Sequence, residues 1–202
     1  MELRKRNSLI HGVGVNDADY NVYETAIVDG KRKNIWTCPF YRTWMGMLRR
    51  CYYERCQSRQ PTYKGCSVCE EWLTFSNFKA WMEEQDWQGK ALDKDLLKEG
   101  NKVYCPEYCL FVDRKINNFV IARAVARGVY MIGVYWHKGA NKFYSQCSNP
   151  FTGKQENLGL FLTELEAHLA WKKKKHEFAC MLADSELVSD PRLAEALRTR
   201  YL

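Results

Sequence analysis

Ile132-Gly133-Val134-Tyr135-Trp136-His137, Lys142-Phe143-Tyr144-Ser145-Gln146-Cys147-Ser148 and Glu156-Asn157-Leu158-Gly159-Leu160-Phe161 follow one another closely in the chain. Each run is rich in aromatic and β-branched residues and alternates in polarity, the pattern of a half-buried strand. Gly139-Ala140-Asn141 joins the first to the second, and Asn149-Pro150-Phe151-Thr152-Gly153 joins the second to the third. Gly and Asn at such places suit hairpin loops. The three runs therefore predict an antiparallel three-stranded sheet. Thr163 then stands where a helix needs an N-cap, and the helix is expected from Glu164 to about Leu182. Successive strand residues face opposite sides. Val134, Trp136, Phe143, Ser145 and Cys147 are expected to face the helix, and Tyr135, His137, Lys142, Tyr144, Gln146, Asn157 and Gly159 to face away. The helix is expected to dock either Leu165, Leu169, Phe178 and Leu182 or the neighbouring stripe of Ala167, Ala170, Trp171 and Met181. Lys172 to Lys175 cover every direction of one turn.

Upstream the pattern is different. Residues 1–40 are weakly periodic, and Gly12, Gly14 and Gly30 mark turns between short strands. Tyr41, Trp44, Met45, Leu48 and Tyr52 form one stripe of a helix over Tyr41–Tyr53. Gln57–Lys64, with Pro61, reads as a loop. Phe75, Phe78, Trp81 and Met82 form the stripe of a second helix over Thr74–Glu84. Ala91–Leu97 and Lys102–Tyr104 predict a hairpin closed by Gly100-Asn101. Leu110-Phe111-Val112 leads to a helix from Asp113 to Val125, with Ile116, Phe119, Val120 and Ala124 on one face. A last amphipathic helix fits Ser185–Leu202. The class is α+β, with one domain over residues 1–126, a second over 127–183 and a helical tail over 184–202.

The net charge of +7 is uneven. Residues 1–60 carry +5, 61–122 carry −2, 123–182 carry +5 and the last twenty carry −1. Two basic regions suit phosphate contacts. No apolar window is long enough to span a membrane, and the charged start has no apolar segment after it, so the expected location is the cytoplasm. There the nine cysteines stay reduced. Cys66-Ser67-Val68-Cys69 and Cys105-Pro106-Glu107-Tyr108-Cys109 are two short-spaced pairs, the arrangement a tetrahedral structural Zn²⁺ requires.

Two resemblances follow from longer strings. Arg50-Cys51-Tyr52, Tyr63-Lys64-Gly65-Cys66, Cys69-x-Glu71-Trp72, Leu92-Asp93-Lys94-Asp95 and Tyr104-x-Pro106-Glu107-x-Cys109-x-Phe111-Val112 resemble phage-encoded H-N-H or homing endonucleases over about residues 10–120. That family has a ββα-metal frame, in which a hairpin carries an Asp-His pair and the next helix an Asn or His. The resemblance implies Asp93 and Asn117 or Asn118 as holders of Mg²⁺ or Mn²⁺, with Lys94 at the place of the activating histidine. The chain departs from the family here and at Tyr108, where an Asn is expected.

Gly133-Val134-Tyr135-Trp136, Lys142-Phe143-Tyr144-Ser145-Gln146, Asn157-Leu158-Gly159-Leu160-Phe161 and Thr163-x-x-Glu166-Ala167 resemble the Apetala/ERF-type DNA-binding domain. In that family a three-stranded sheet backed by one helix lies in the major groove. The resemblance implies double-stranded DNA as the partner. Tyr135, His137, Lys138, Lys142, Tyr144, Gln146 and Asn157 then meet bases and phosphates. The family carries more outward arginine than this chain does. Together the readings lead to a sequence-specific double-stranded-DNA-binding protein, a repressor or accessory factor, on an endonuclease frame whose cleavage is lost or weakened. The alternatives are an active metal-dependent site-specific endonuclease and a zinc protein that binds another protein. A homodimer stays open.

Overall fold

Asp29 and Gly30 both adopt left-handed backbone, φ 54° and 72°, the requirement of a two-residue hairpin turn that follows the natural twist of its strands. They join β1 (Tyr23–Val28) to β2 (Lys31–Thr37), paired antiparallel from Tyr23↔Thr37 to Val28↔Lys31. The computed structural model describes residues 9–121 and 129–202, and they fall into two units, Met1–Phe111 and Val112–Leu202. The boundary expected near Arg127-Gly128 lies outside the described residues.

In the first unit, α1 (Pro39–Tyr52) begins on Pro39, whose fixed φ and missing N–H suit a first helical turn. It buries Tyr41, Trp44, Met47, Leu48 and Cys51. Met45 and Tyr52, expected on that stripe, are only half-buried. The expected loop over Gln57–Lys64 is partly helical: α2 spans Glu54–Arg59 and a 3₁₀ turn spans Pro61–Tyr63. β3 (Ser67–Val68) precedes α3 (Phe75–Glu83), which buries Phe75, Phe78 and Met82. Trp44 and Trp72 are fully buried, and the indole N–H of Trp44 donates to the Trp72 carbonyl at 2.7 Å. Trp72 meets Phe78 edge-on at 5.2 Å, so this aromatic stripe is core.

The predicted hairpin of Ala91–Leu97 with Lys102–Tyr104 does not form. β4 (Ala91–Asp93) pairs instead with β6 (Leu110–Val112), and β5 (Val103–Tyr104) lies parallel to β3. The reason is local. The Asp93 carboxylate accepts the N–H groups of Asp95 and Leu96 at 2.9 and 2.7 Å and ends the strand in a turn.

In the second unit, α4 (Arg114–Val120) is capped by the Asp113 carboxylate, which accepts the Lys115 N–H at 2.7 Å. Its expected continuation to Val125 stops after Val120, and residues 122–128 lie outside the described residues. β7 (Val134–His137), β8 (Lys142–Ser148) and β9 (Gln155–Phe161) form the antiparallel three-stranded sheet, in that order. Thr163 and Glu166 close a capping box at the start of α5 (Glu164–Ala183), which packs across all three strands. Gly133 sits so close to Trp171 that a Cβ there would collide with the indole, and its φ of 79° favours glycine as well. Helix α6 (Pro191–Thr199), capped by Asp190, buries Leu193 and Leu197. Among the described residues no helix is long and apolar enough to cross a membrane.

Candidate nucleic-acid interface

The register of the sheet sorts its side chains. Val134 lies opposite Ser145 and Trp136 opposite Phe143, while Tyr135 lies opposite Tyr144 and His137 opposite Lys142. Val134, Ser145 and Cys147 are buried on the helix side. On β9, Leu160 pairs with Tyr144, Gly159 with Ser145, Asn157 with Gln146 and Gln155 with Ser148. The outer face is thus Tyr135, His137, Lys142, Tyr144, Gln146, Ser148, Gln155, Asn157 and Leu160.

One expected outward residue is on the other side. The register shifts between Ser145 and Gln146, so Leu158 is an extra residue and Gly159 joins the inner face while Asn157 keeps the outer one. A bulge resets the alternation by one residue. The Asn157 side-chain oxygen accepts the Gly159 N–H at 2.8 Å and stabilises the bulge.

The outer face carries no carboxylate. Glu156 points inward and is held by Lys174 at 3.5 Å and by the Asn149 amide at 2.7 Å. Tyr135 is 51% exposed and pairs with Tyr144 at 6.5 Å between ring centres. The Tyr144 hydroxyl donates to the Gln146 side-chain oxygen at 3.4 Å, and the Gln155 amide donates to the Ser148 hydroxyl at 2.6 Å. His137 Nδ1 accepts the Ala140 N–H at 3.1 Å, which leaves Nε2 as the protonated nitrogen of the neutral ring. Lys138 and Lys142 are exposed at the β7–β8 turn. Among the described residues the ion pairs of this unit are Lys174 with Glu156 and Glu177, Arg192 with Asp190, and Arg198 with Asp184. Among the described residues no acid therefore holds Lys138 or Lys142.

The helix side answers the expectations about α5. Its buried residues are Ala167, Phe178, Ala179, Leu182 and Ala183, whereas Leu165, Leu169 and Met181 are more than half exposed. Of the lysine run, Lys173 is exposed and Lys174 is bound to acids. Lys175 turns inward, donates to the Phe119 carbonyl at 2.7 Å and stands 3.5 Å over the Phe119 ring. This run therefore spends two of its four charges inside the unit.

Asp93 and Lys94 lie in the first unit, Asn117 and Asn118 on α4 in the second. Lys94 is only 5% exposed. Its ammonium donates to the Asp95 carboxylate at 3.0 Å and to the Asn101 carbonyl at 2.9 Å. The buried Asn101 amide returns two bonds, to the carbonyls of Lys94 and Val103 at 2.6 and 2.7 Å. Burial, with the Asp95 charge beside it, raises the Asp93 carboxyl above the usual range against the opposing pull of two backbone N–H groups. Arg50 lies alongside, its guanidinium 5.4 Å from the Tyr104 ring and 5.6 Å from that of Tyr63, with its Nε donating to the Tyr104 hydroxyl at 3.0 Å. The whole is a satisfied polar knot under the β4 turn.

All nine cysteines are free thiols. The parallel pairing of β3 and β5 brings the two cysteine pairs to one region, and burial raises the Cys109 thiol, with Cys105 and Cys69 nearby adding to the rise. Cys66 turns elsewhere: its thiol points to the Thr62 carbonyl at 3.9 Å and it neighbours Cys51, whose thiol burial pushes up to about 12. Among the described residues no three His, Cys, Asp or Glu side chains stand close enough to hold a metal ion.

Sequence reading missed Leu160 on the outer face because the bulge at Leu158 was not visible in the alternation, and it missed Ser148 and Gln155, which lie in step with Gln146 and Asn157. It also missed the β1–β2 pairing, although Asp29-Gly30 is a strong hairpin signal. No protein-family model matches the chain, and neither a curated protein nor a solved structure does.

Proposed function

We propose that this chain binds double-stranded DNA through the outer face of β7, β8 and β9. One observation carries the proposal: an exposed sheet face with lysine, glutamine, asparagine and tyrosine but no carboxylate. Lys138 and Lys142 suit phosphates, and Gln146 and Asn157 suit base edges. Tyr135 and Tyr144 offer flat apolar contact with a hydroxyl at the rim. A sheet backed by one helix and bare on its other face supports the comparison with Apetala/ERF-type domains.

Binding without cutting is the preferred form of the proposal. A general base must come within hydrogen-bond reach of the proton it removes, and the Lys94 ammonium is buried and aimed at Asp95 and Asn101. The strand, strand, helix order of β4, β6 and α4 favours the endonuclease alternative. Selection of a duplex followed by incubation with Mg²⁺ or Mn²⁺ separates the two. Binding without nicking supports the first, and nicking abolished by Asp93→Ala establishes the second. Zinc on Cys66, Cys69, Cys105 and Cys109 is a separate proposal that requires Cys66 to leave the Thr62 carbonyl. About one zinc atom per purified chain supports it, and none removes it.

For the sheet itself, Lys142→Ala is expected to weaken binding to all sequences alike and to lower the salt slope by about 1. Gln146→Ala is expected to cost roughly 1–3 kcal/mol on the selected site only. Fluorescence anisotropy over a salt series reads both.

A further inference from the structure

β1 and β2 form a ribbon that is bare on both faces. Every residue of the two strands is exposed except the half-buried Ala26 and Thr37. Ile27 is 77% exposed and Ile35 58%, with Tyr23 and Trp36 also open. A lone two-stranded hairpin is marginally stable in water, and exposed apolar groups in such number mark a surface that meets a partner.

The charges say which partner. Lys31, Arg32 and Lys33 open β2 directly after the turn. The register puts Lys31 opposite Val28 and Lys33 opposite Ala26 on one face, and Arg32 opposite Ile27 on the other. The tip therefore presents cations on both sides of the ribbon. Only Lys33 has an acid within reach, Asp29 at 3.0 Å, among the described residues. The three adjacent cations on β2 also oppose edge-to-edge pairing with a second copy, because like charges would meet.

We propose that the β1–β2 ribbon is a second DNA-contacting element, which enters the major groove and sets its cations against the phosphates of both walls. The groove is about 12 Å wide and admits a two-stranded ribbon, whose strands are about 4.8 Å apart. Cations on opposite faces of the ribbon address opposite walls, which a one-sided basic strand cannot do. Tyr23 and Ile27 share the Arg32 face of the ribbon and offer apolar contacts to thymine methyl groups on that side of the groove. The inference rests on the DNA reading of the sheet but concerns a separate element.

The test uses the full chain and a mixed-sequence duplex of roughly three helical turns, with anisotropy read between about 50 and 200 mM salt. Lys31→Ala/Arg32→Ala is compared with wild type and with Tyr135→Ala/Lys142→Ala, after circular dichroism shows unchanged folding. The expected result is a loss of tenfold or more in affinity at the lower salt for the ribbon variant, and a salt slope lower by about 2. A hydroxyl-radical footprint on the selected site loses part of its protection in the ribbon variant and keeps the rest. If wild type binds and the sheet variant is impaired while the ribbon variant binds with wild-type affinity, slope and footprint, the ribbon proposal is wrong and the sheet reading stands. If wild type binds no duplex, both fail. A wild-type dimer that the ribbon variant splits, with DNA affinity unchanged, makes the ribbon a self-interface and overturns the proposal.

Discussion

Lys94 stands where the proposed comparison with H-N-H endonucleases would put a histidine, and its surroundings explain what a lysine does there. Its Nζ bridges the Asp95 carboxylate and the Asn101 carbonyl, and Asn101 returns bonds to the carbonyls of Lys94 and Val103. Removing the ammonium leaves a buried carbonyl unpaired, and such a loss costs about 1–3 kcal/mol. Lys94→Ala is therefore expected to lower unfolding stability by that amount in urea, with DNA affinity unchanged at a temperature where it stays folded. Unaltered stability would contradict the structural role. Lys175 makes an opposite case. Burial holds its ammonium down to about 8, helped by the Arg200 charge and opposed by Cys147. Below about pH 8 both the folded and the unfolded chain carry the proton, and the folded state bears the full cost of burying it. From about 8 to 10.5 only the unfolded chain holds it, so stability rises with pH through that window. Lys175→Met removes this titration, so the variant is expected to lack the wild-type rise in stability between about pH 8 and 10.5 in thermal melts. A rise of the same size in the variant would refute the assignment.

At the scale of elements, the sheet and its helix were the most legible part of the chain. Alternation, Gly and Asn at the loops, and Thr163 at the N-cap position all point the same way, and the strands lie within two residues of the expected ends. What escaped was set by single backbone events. The bulge at Leu158 moved Gly159 inward, and the Asp93 turn sent β4 to β6 rather than to β5. The buried stripe of α5 takes Phe178 and Leu182 from one expected stripe and Ala167 from the other. Leu165 and Leu169 are exposed while the small residues Ala167 and Ala179 are buried, and Trp171 packs closely against Gly133. Gly133→Ala should therefore strain both the backbone and the Trp171 contact, at a cost of about 2 kcal/mol or more. A melt unchanged from wild type would show that the contact is not tight.

For the whole molecule, the uneven charge was legible from the start, and both elements assigned here to DNA lie in the basic stretches at residues 1–60 and 123–182. Less legible was how many of those charges are available. Lys174 and Lys175 are spent within the second unit, whereas Lys31, Arg32, Lys138 and Lys142 meet no acid among the described residues. The catalytic residues implied by resemblance were legible only as names. Lys94 reads as a base in the sequence and as a buried clasp in the fold, a difference that depends on Asn101 coming seven residues later and folding back. The thiol pairs show the same limit, since spacing puts four sulfurs near one another but does not set the direction of Cys66.

The central claim is that the carboxylate-free outer face of β7, β8 and β9 binds duplex DNA, and anisotropy of the full chain on a selected duplex over about 50–200 mM salt tests it most directly. The account predicts tight binding by wild type, a log–log salt slope that falls by about 1 in Lys142→Ala, and a further loss when Tyr135→Ala is added. Binding no better than background at moderate salt, or binding that Tyr135→Ala/Lys142→Ala leaves untouched in both affinity and slope, would contradict it.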